Sequence, residues 1–272
     1  MSKKVIAAGI LHAAFYVGML PDVGATSTDE LNFSVGLEGA NYVAEEYRYG
    51  TLFNREDGIL VGSYLRGKYA TEAWRIGIEG RKLAGTINYR GQNQLGIPLK
   101  SQTDLKYVQL GFSAMYQFHE MPFYTGIALR SRDIDRRIQP TPITQALYET
   151  LRQIEWGPTV GAQWKLSEKI SLAAQIMVLT TERSTLDVDF LGSYDSGRLT
   201  LPRNSSRDVQ FALEYDISPR YTLAMEIHGQ RFSPARSTSA PLTRNGAPVG
   251  IYNYPGSTQE IWLFSTTAQI RW

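Results

Sequence analysis

Apolar and polar residues alternate with a period of two along most of this chain. In 59–69, Ile59, Val61, Leu65 and Tyr69 share one face, while Leu60, Gly62, Tyr64, Arg66 and Lys68 share the other. In 73–82, Trp74, Ile76 and Ile78 oppose Arg75, Gly77, Glu79 and Arg81. The pattern recurs in 105–119 (Val108 to Phe118 against Gln109 to Gln117), 123–132, 154–166, 170–183, the stretches around Val209–Ile217 and Tyr221–His228, and the last segment, from Trp262 to Trp272. A side-chain period of two means β-strand, and here one face is consistently apolar. The first segment, near 31–47, begins in register with Leu31, Phe33, Val35 and Leu37 and loses it around Asn41, where a bulge is expected. Ten strands are predicted.

The connections separate the architectures open to ten such strands. Four are very short: Ala70–Glu72, Glu120–Pro122, Ser167–Lys169 and Ser218–Arg220. Five are long, near 48–58, 90–104, 133–153, 184–207 and 233–258, and the two kinds alternate strictly. A soluble sandwich has no reason to gather every long loop at one end. An up-and-down transmembrane β-barrel does: turns on the periplasmic side are short, outer loops are long, and an even strand count leaves both termini inside.

Aromatic placement points the same way. Tyr69, Trp74, Tyr116, Phe118, Phe123, Trp164, Tyr215, Tyr221 and Trp272 cluster at the short-turn end, and Tyr47, Tyr89, Trp156 and Trp262 at the other. High strand propensity explains aromatic residues in strands, but not their gathering at strand ends; two interfacial girdles do. The slightly negative mean hydropathy fits, because a barrel wall is apolar on one face only.

The first residues read differently. Lys3 and Lys4 precede a mostly apolar run from Val5 to Leu20, then Val23-Gly24-Ala25. This is a signal-peptide pattern with cleavage near Ala25, giving 1–25 as signal peptide and 26–272 as barrel. The apolar run, about 16 residues, is shorter than the roughly 20 needed for an anchor helix. Removing Lys3, Lys4 and Asp22 takes the formal charge from +2 to +1. A near-neutral chain with no basic run argues against nucleic-acid binding. With no cysteine, disulfides, zinc-thiolate sites and Cys nucleophiles are excluded. No cofactor or metal is expected.

The ending Phe264, Thr266, Ala268, Ile270, Trp272 resembles the terminal signal of bacterial outer-membrane proteins. The resemblance implies insertion by the outer-membrane assembly machinery, with membrane lipids and lipopolysaccharide as surroundings. Ten strands with this loop layout, and the run Phe264-Ser265-Thr266-Thr267-Ala268, are also similar to the omptins, ten-stranded outer-membrane proteases. That family's site needs two acidic pairs near the outer rim, one containing a His that activates water. The second long loop here reads Tyr89-Arg90-Gly91-Gln92-Asn93-Gln94, without an acid; the fourth reads Asp187-Val188-Asp189, without a His. The resemblance therefore extends to the fold and not to the catalytic residues.

Chemistry-bearing residues concentrate on the lumen face: Arg66, Lys68, Arg75, Glu79, Arg81, Arg130, Arg132, Glu155, Lys165, Arg183, Glu214, Glu226 and His228. In a narrow barrel, charges of both signs are expected to pair, filling the lumen, since each unpaired buried charge costs several kcal/mol. The sharper alternative is a narrow solute channel, anion-selective where Arg66, Lys68 and Arg75 cluster. Other candidates are Asp133 with Asp135, flanked by Arg130, Arg132, Arg136 and Arg137, and Glu226 with His228 as an acid–base pair. His119 sits at a short turn. In the third long loop, Thr141-Pro142 followed by Leu147 and Leu151 predicts a short helix over the mouth. The fifth, with Pro234, Pro241, Pro248 and Pro255 and basic Arg231, Arg236 and Arg244, is a candidate contact for lipopolysaccharide phosphates. The reading is a surface-loop platform or small-solute channel, with an omptin-like hydrolase as the alternative.

Overall fold

The computed structural model describes residues 30–92, 96–119 and 121–272. The signal-peptide reading of 1–25 lies outside the described residues. Ten strands form the wall: β1 (Glu30–Arg48), β2 (Thr51–Ala70), β3 (Trp74–Gln92), β4 (Pro98–Gln117), β5 (Phe123–Ile138), β6 (Leu147–Lys165), β7 (Ile170–Asp189), β9 (Ser205–Ser218), β10 (Tyr221–Phe232) and β13 (Ser257–Arg271). Each pairs antiparallel with its neighbour, β6 with β7 and β1 with β13, so the sheet closes. Short β8 (Gly197–Thr200) continues the β9 line alongside β7, and β11 (Ala240–Arg244) with β12 (Ala247–Tyr252) forms a hairpin. Backbone hydrogen bonds between Leu31 and Trp272 run both ways, fixing the chain's end to β1. Among the described residues there is no helix.

The outward face carries an exposed apolar band, including Leu37, Val61, Ile78, Leu110, Ile127, Trp156 and Met225. Exposed apolar surface continuous around a barrel is stable only against lipid. Its rim at the short-turn end holds the edge-to-face series Trp74, Tyr116 and Phe118.

The strands run far beyond this band. The 20 residues of β4, at roughly 3.4 Å each and tilted about 40°, rise about 50 Å, twice the roughly 25 Å of a typical apolar band. Above the band the polarity of the two faces inverts. On β1 the outward series passes from Leu31, Phe33, Val35 and Leu37 to Asn41 and Glu45, while the buried series passes from Asn32, Ser34 and Glu38 to Ala40, Tyr42 and Ala44. β3 turns Lys82, Thr86, Asn88 and Arg90 outward and buries Leu83 and Ile87. The outer half is thus built like a soluble barrel around its own apolar core.

This inversion corrects three sequence readings. No bulge occurs at Asn41; β1 pairs with β13 without a shift from Asn32 to Glu46. What looked like lost register is the exchange of faces. Most of the supposed long loops are strand: the first shrinks to Tyr49-Gly50, both at positive φ (52° and 79°), a two-residue turn of the type I′ kind. The helix expected after Thr141 is absent. The Thr141 hydroxyl does accept the backbone N–H groups of Ile143 and Thr144, but it closes a tight turn between β5 and β6. The short turns fall where expected; Ser167 and Thr71 each hold theirs by accepting N–H groups of the following residues.

Candidate functional site: the barrel lumen

Alternation on ten strands sends one polar series into the lumen, and the register stacks it in layers. Through the middle runs a belt of ion pairs. Arg66 of β2 donates two hydrogen bonds to Glu226 of β10, at 2.8 and 2.9 Å, and lies 3.6 Å from Glu79. Arg81 sits 3.5 Å from Glu38 and 3.6 Å from Glu79. Arg130 bridges Glu155, at 2.8 Å, and Asp208. Arg132, fully buried, reaches Glu155 at 3.3 Å and lies 3.7 Å above the Phe232 ring. Tyr64 and Tyr107 fill the space between guanidiniums, their hydroxyls bonded to Glu79 and to Gln109 and Gln230. Taking such charges out of water costs several kcal/mol per ion, so the belt exists only because nearly every member is paired.

His228 links two of these groups. Its Nδ1 lies 3.0 Å from an Arg81 nitrogen and its Nε2 3.0 Å from Asp208. A guanidinium only donates, so Nδ1 accepts and the network assigns the proton to Nε2, donating to Asp208. The expected Glu226–His228 pair is not formed: Glu226 is taken by Arg66 and Gln210, and His228 by Arg81 and Asp208.

Above the belt the lumen is closed by the outer core, with Tyr42, Leu60, Leu83, Leu105, Ile134, Phe232 and Ile261 fully or almost fully buried. Within it Arg136 holds Glu56, Glu149 and Glu46 at 3.0, 3.0 and 3.2 Å. Below the belt, toward the short-turn end, a vestibule of about 200 Å³ opens among Lys68, Arg75, Tyr124, Gln163, Gln210 and Glu214. Lys68 is 4.0 Å from Glu214, and Arg75 donates to Gln163 at 2.8 Å while stacking 4.9 Å from the Tyr124 ring.

Eleven of the lumen candidates thus stand as a group: Arg66, Glu79, Arg81, Arg130, Arg132, Glu155, Glu226 and His228 in the belt, and Lys68, Arg75 and Glu214 around the vestibule. Arg183 does not join them. Ile154 pairs with Arg183 but Glu155 pairs with Thr181, leaving an extra residue in β7. This bulge turns Ser184 inward and Arg183 out to solvent. Lys165 is exposed at the end of its strand. Asp133 and Asp135 face outward, on the opposite side of the wall from Arg130, Arg132 and Arg136; Asp135 accepts the Thr150 hydroxyl instead. The sequence reading missed Glu38, which lies within the first segment on the face opposite Leu37, Asp208, two residues before Gln210 on the same face, and the Arg136 cluster, most of which fell in supposed loops. Among the described residues no group of His, Asp and Glu has the arrangement of a metal site. Asp208 and His228 come together, buried beneath the apolar core at 2% and 3% exposure.

At the outer end two loops are clasped. The Asp195 carboxylate accepts the backbone N–H groups of Asn245 and Gly246 at the tip of the β11–β12 hairpin, at 3.1 and 2.9 Å. Arg244 donates to the Ser193 carbonyl and stacks 4.9 Å from the Tyr194 ring. Phe190 packs edge-to-face on Tyr194 and Tyr252. The Gly246 N–H bond holds the Asp195 carboxyl below the usual aspartate range.

No protein-family model matches the chain, and no curated protein matches it. Solved structures do. The outer-membrane protease OmpT of Escherichia coli superposes with a TM-score of 0.62 at 11% identity, covering 93% of this chain and 99% of that one. The translocator domain of the autotransporter NalP of Neisseria meningitidis gives 0.50 at 10% identity, covering 99% and 96%. At such identities the likeness is one of fold. The fold is that of the β-barrels of the bacterial outer membrane, and the exposed apolar band sets this chain in that membrane.

Proposed function

We propose that this barrel is a non-conducting scaffold that presents its outer strands and clasped loops at the cell surface, with the short-turn end in the periplasm. The observation carrying this is the double closure of the lumen. An ion-paired belt and, above it, an apolar core drawn from nearly every wall strand lie across the path a solute would take. A hydrated pore needs an open path, and at this level the apolar side chains and the Arg136 cluster are buried against one another. Lipopolysaccharide phosphates, first expected at Arg231, Arg236 and Arg244, are here proposed as neighbours of the outward basic residues above the lipid band, Arg183, Arg207 and Arg231 among them. Channel activity is the competing reading. Liposomes carrying the folded protein are expected to show no swelling in iso-osmotic arabinose beyond protein-free controls; swelling that rises with the amount of barrel would contradict the proposal.

A further inference from the structure

We propose that the vestibule is a binding site for a small organic monocarboxylate, entering from the short-turn end. Four guanidiniums line this cavity, and three are neutralised: Arg66 by Glu226, Arg130 by Glu155 and Asp208, and Arg271 by Glu30 and Asp216. Arg75 is the exception. It donates to the neutral Gln163 amide and stacks on Tyr124, with no carboxylate within ion-pair distance among the described residues. Among the described residues the Gln163 bond is the one hydrogen bond Arg75 makes, and the residue lines the cavity.

Lys68, on the adjacent strand, adds a second cation. Its nearest carboxylate, Glu214, is 4.0 Å away and already accepts from Gln163 at 3.3 Å. The other two acids on the cavity wall are engaged as well: Glu79 by Arg66, Arg81, Tyr64 and Gln109, and Glu30 by Arg271. At this part of the wall Lys68 and Arg75 face a single carboxylate, Glu214, that is already engaged, and the planar edge of Arg75 suits a carboxylate.

The rest of the lining selects the ligand's other end. Ala128, Met177 and Leu179 form an apolar wall beside the belt, and Met115 lies directly across from Arg75 nearer the mouth. A cavity of about 200 Å³ with cations at the open side and methionine and leucine at depth suits a short acyl chain ending in a carboxylate. Because the belt and outer core close the far side, the ligand binds and leaves by the same mouth.

Methyl NMR on protein labelled at methionine tests this directly. Met115 and Met177 line the cavity, whereas Met225 faces lipid and serves as control. Titration with butyrate is expected to give saturable shifts at Met115 and Met177 and none at Met225. Arg75→Gln is expected to weaken binding at least about tenfold, as loss of a charge-assisted hydrogen bond does, with Lys68→Gln weaker than wild type too. Each variant is first shown to be folded by its heat-modifiable gel mobility. Should Arg75→Gln fail that check, Lys68→Gln and Arg75→Lys carry the comparison. Absence of saturable shifts with butyrate would overturn the proposal. So would equal shifts with neutral butyramide, or saturation by inorganic phosphate in the absence of any butyrate effect.

Discussion

Replacing Glu155 by Gln removes one charge from the centre of the lumen with almost no change of shape. Glu155 is fully buried and shared by Arg130, at 2.8 Å, and Arg132, at 3.3 Å. Arg130 keeps Asp208. Arg132 keeps the Phe232 ring and hydrogen bonds to Gln153 and Tyr107, but loses its carboxylate. Leaving a buried charge uncompensated costs about 3–5 kcal/mol. The retained cation–π contact is worth up to about 2 kcal/mol, which places the expected loss near the lower end, about 3 kcal/mol. The double variant Glu155→Gln with Arg132→Met removes both charges and keeps the volume; it is expected to recover most of that loss. Urea titration of the refolded barrel in detergent micelles, followed by tryptophan fluorescence and heat-modifiable mobility, measures both. A single-variant loss below about 1 kcal/mol, the range of exposed pairs, would refute the claim of a dry belt. So would a double variant less stable than the single.

Four further outcomes follow from the same structure. Tyr124 lies over Gly161, where an added side chain would collide with its ring; Gly161→Val is expected to cost about 1–3 kcal/mol in the same urea assay. The chain has no cysteine, so single-cysteine variants report cleanly: Arg183→Cys is expected to react fast with a polar maleimide in intact cells and Arg132→Cys not at all. Protease added to intact cells is expected to cut within 233–258, accelerated by Asp195→Ala, and cutting at Ser167–Lys169 would invert the proposed orientation. The depressed Asp195 carboxyl makes the loop clasp pH-dependent in a fixed sense. Its stabilisation is present above the unfolded aspartate pKa and is lost as pH falls through the lower folded value, so the Gly246 amide resonance should titrate with a midpoint below that of ordinary aspartate.

The ten strands were legible because within the lipid band the outward series is apolar without interruption, as in Trp74, Ile76 and Ile78. The outer half was not, because alternation there survives with the faces exchanged: Lys82 and Arg90 outside, Leu83 and Ile87 inside. A reading that follows a single apolar face takes such a stretch for loop. The Asn245-Gly246 pair, with positive φ at both residues (52° and 76°), is a hairpin signal that the sequence does carry. Arg183 was misplaced for a different reason: one extra residue in β7 reverses parity, and nothing in Thr181-Glu182-Arg183 announces it. The belt's partners were half visible. Parity puts Asp208 in the lumen, but its contact with Arg130 joins strands far apart in sequence and follows only from closure of the barrel.

The proposed scaffold role requires a lumen closed twice between its two ends. Planar-bilayer recording of the folded wild-type protein tests this most directly. The expected trace is flat, with no reproducible unitary steps at any holding potential. Discrete steps of uniform size that scale with salt concentration would contradict it.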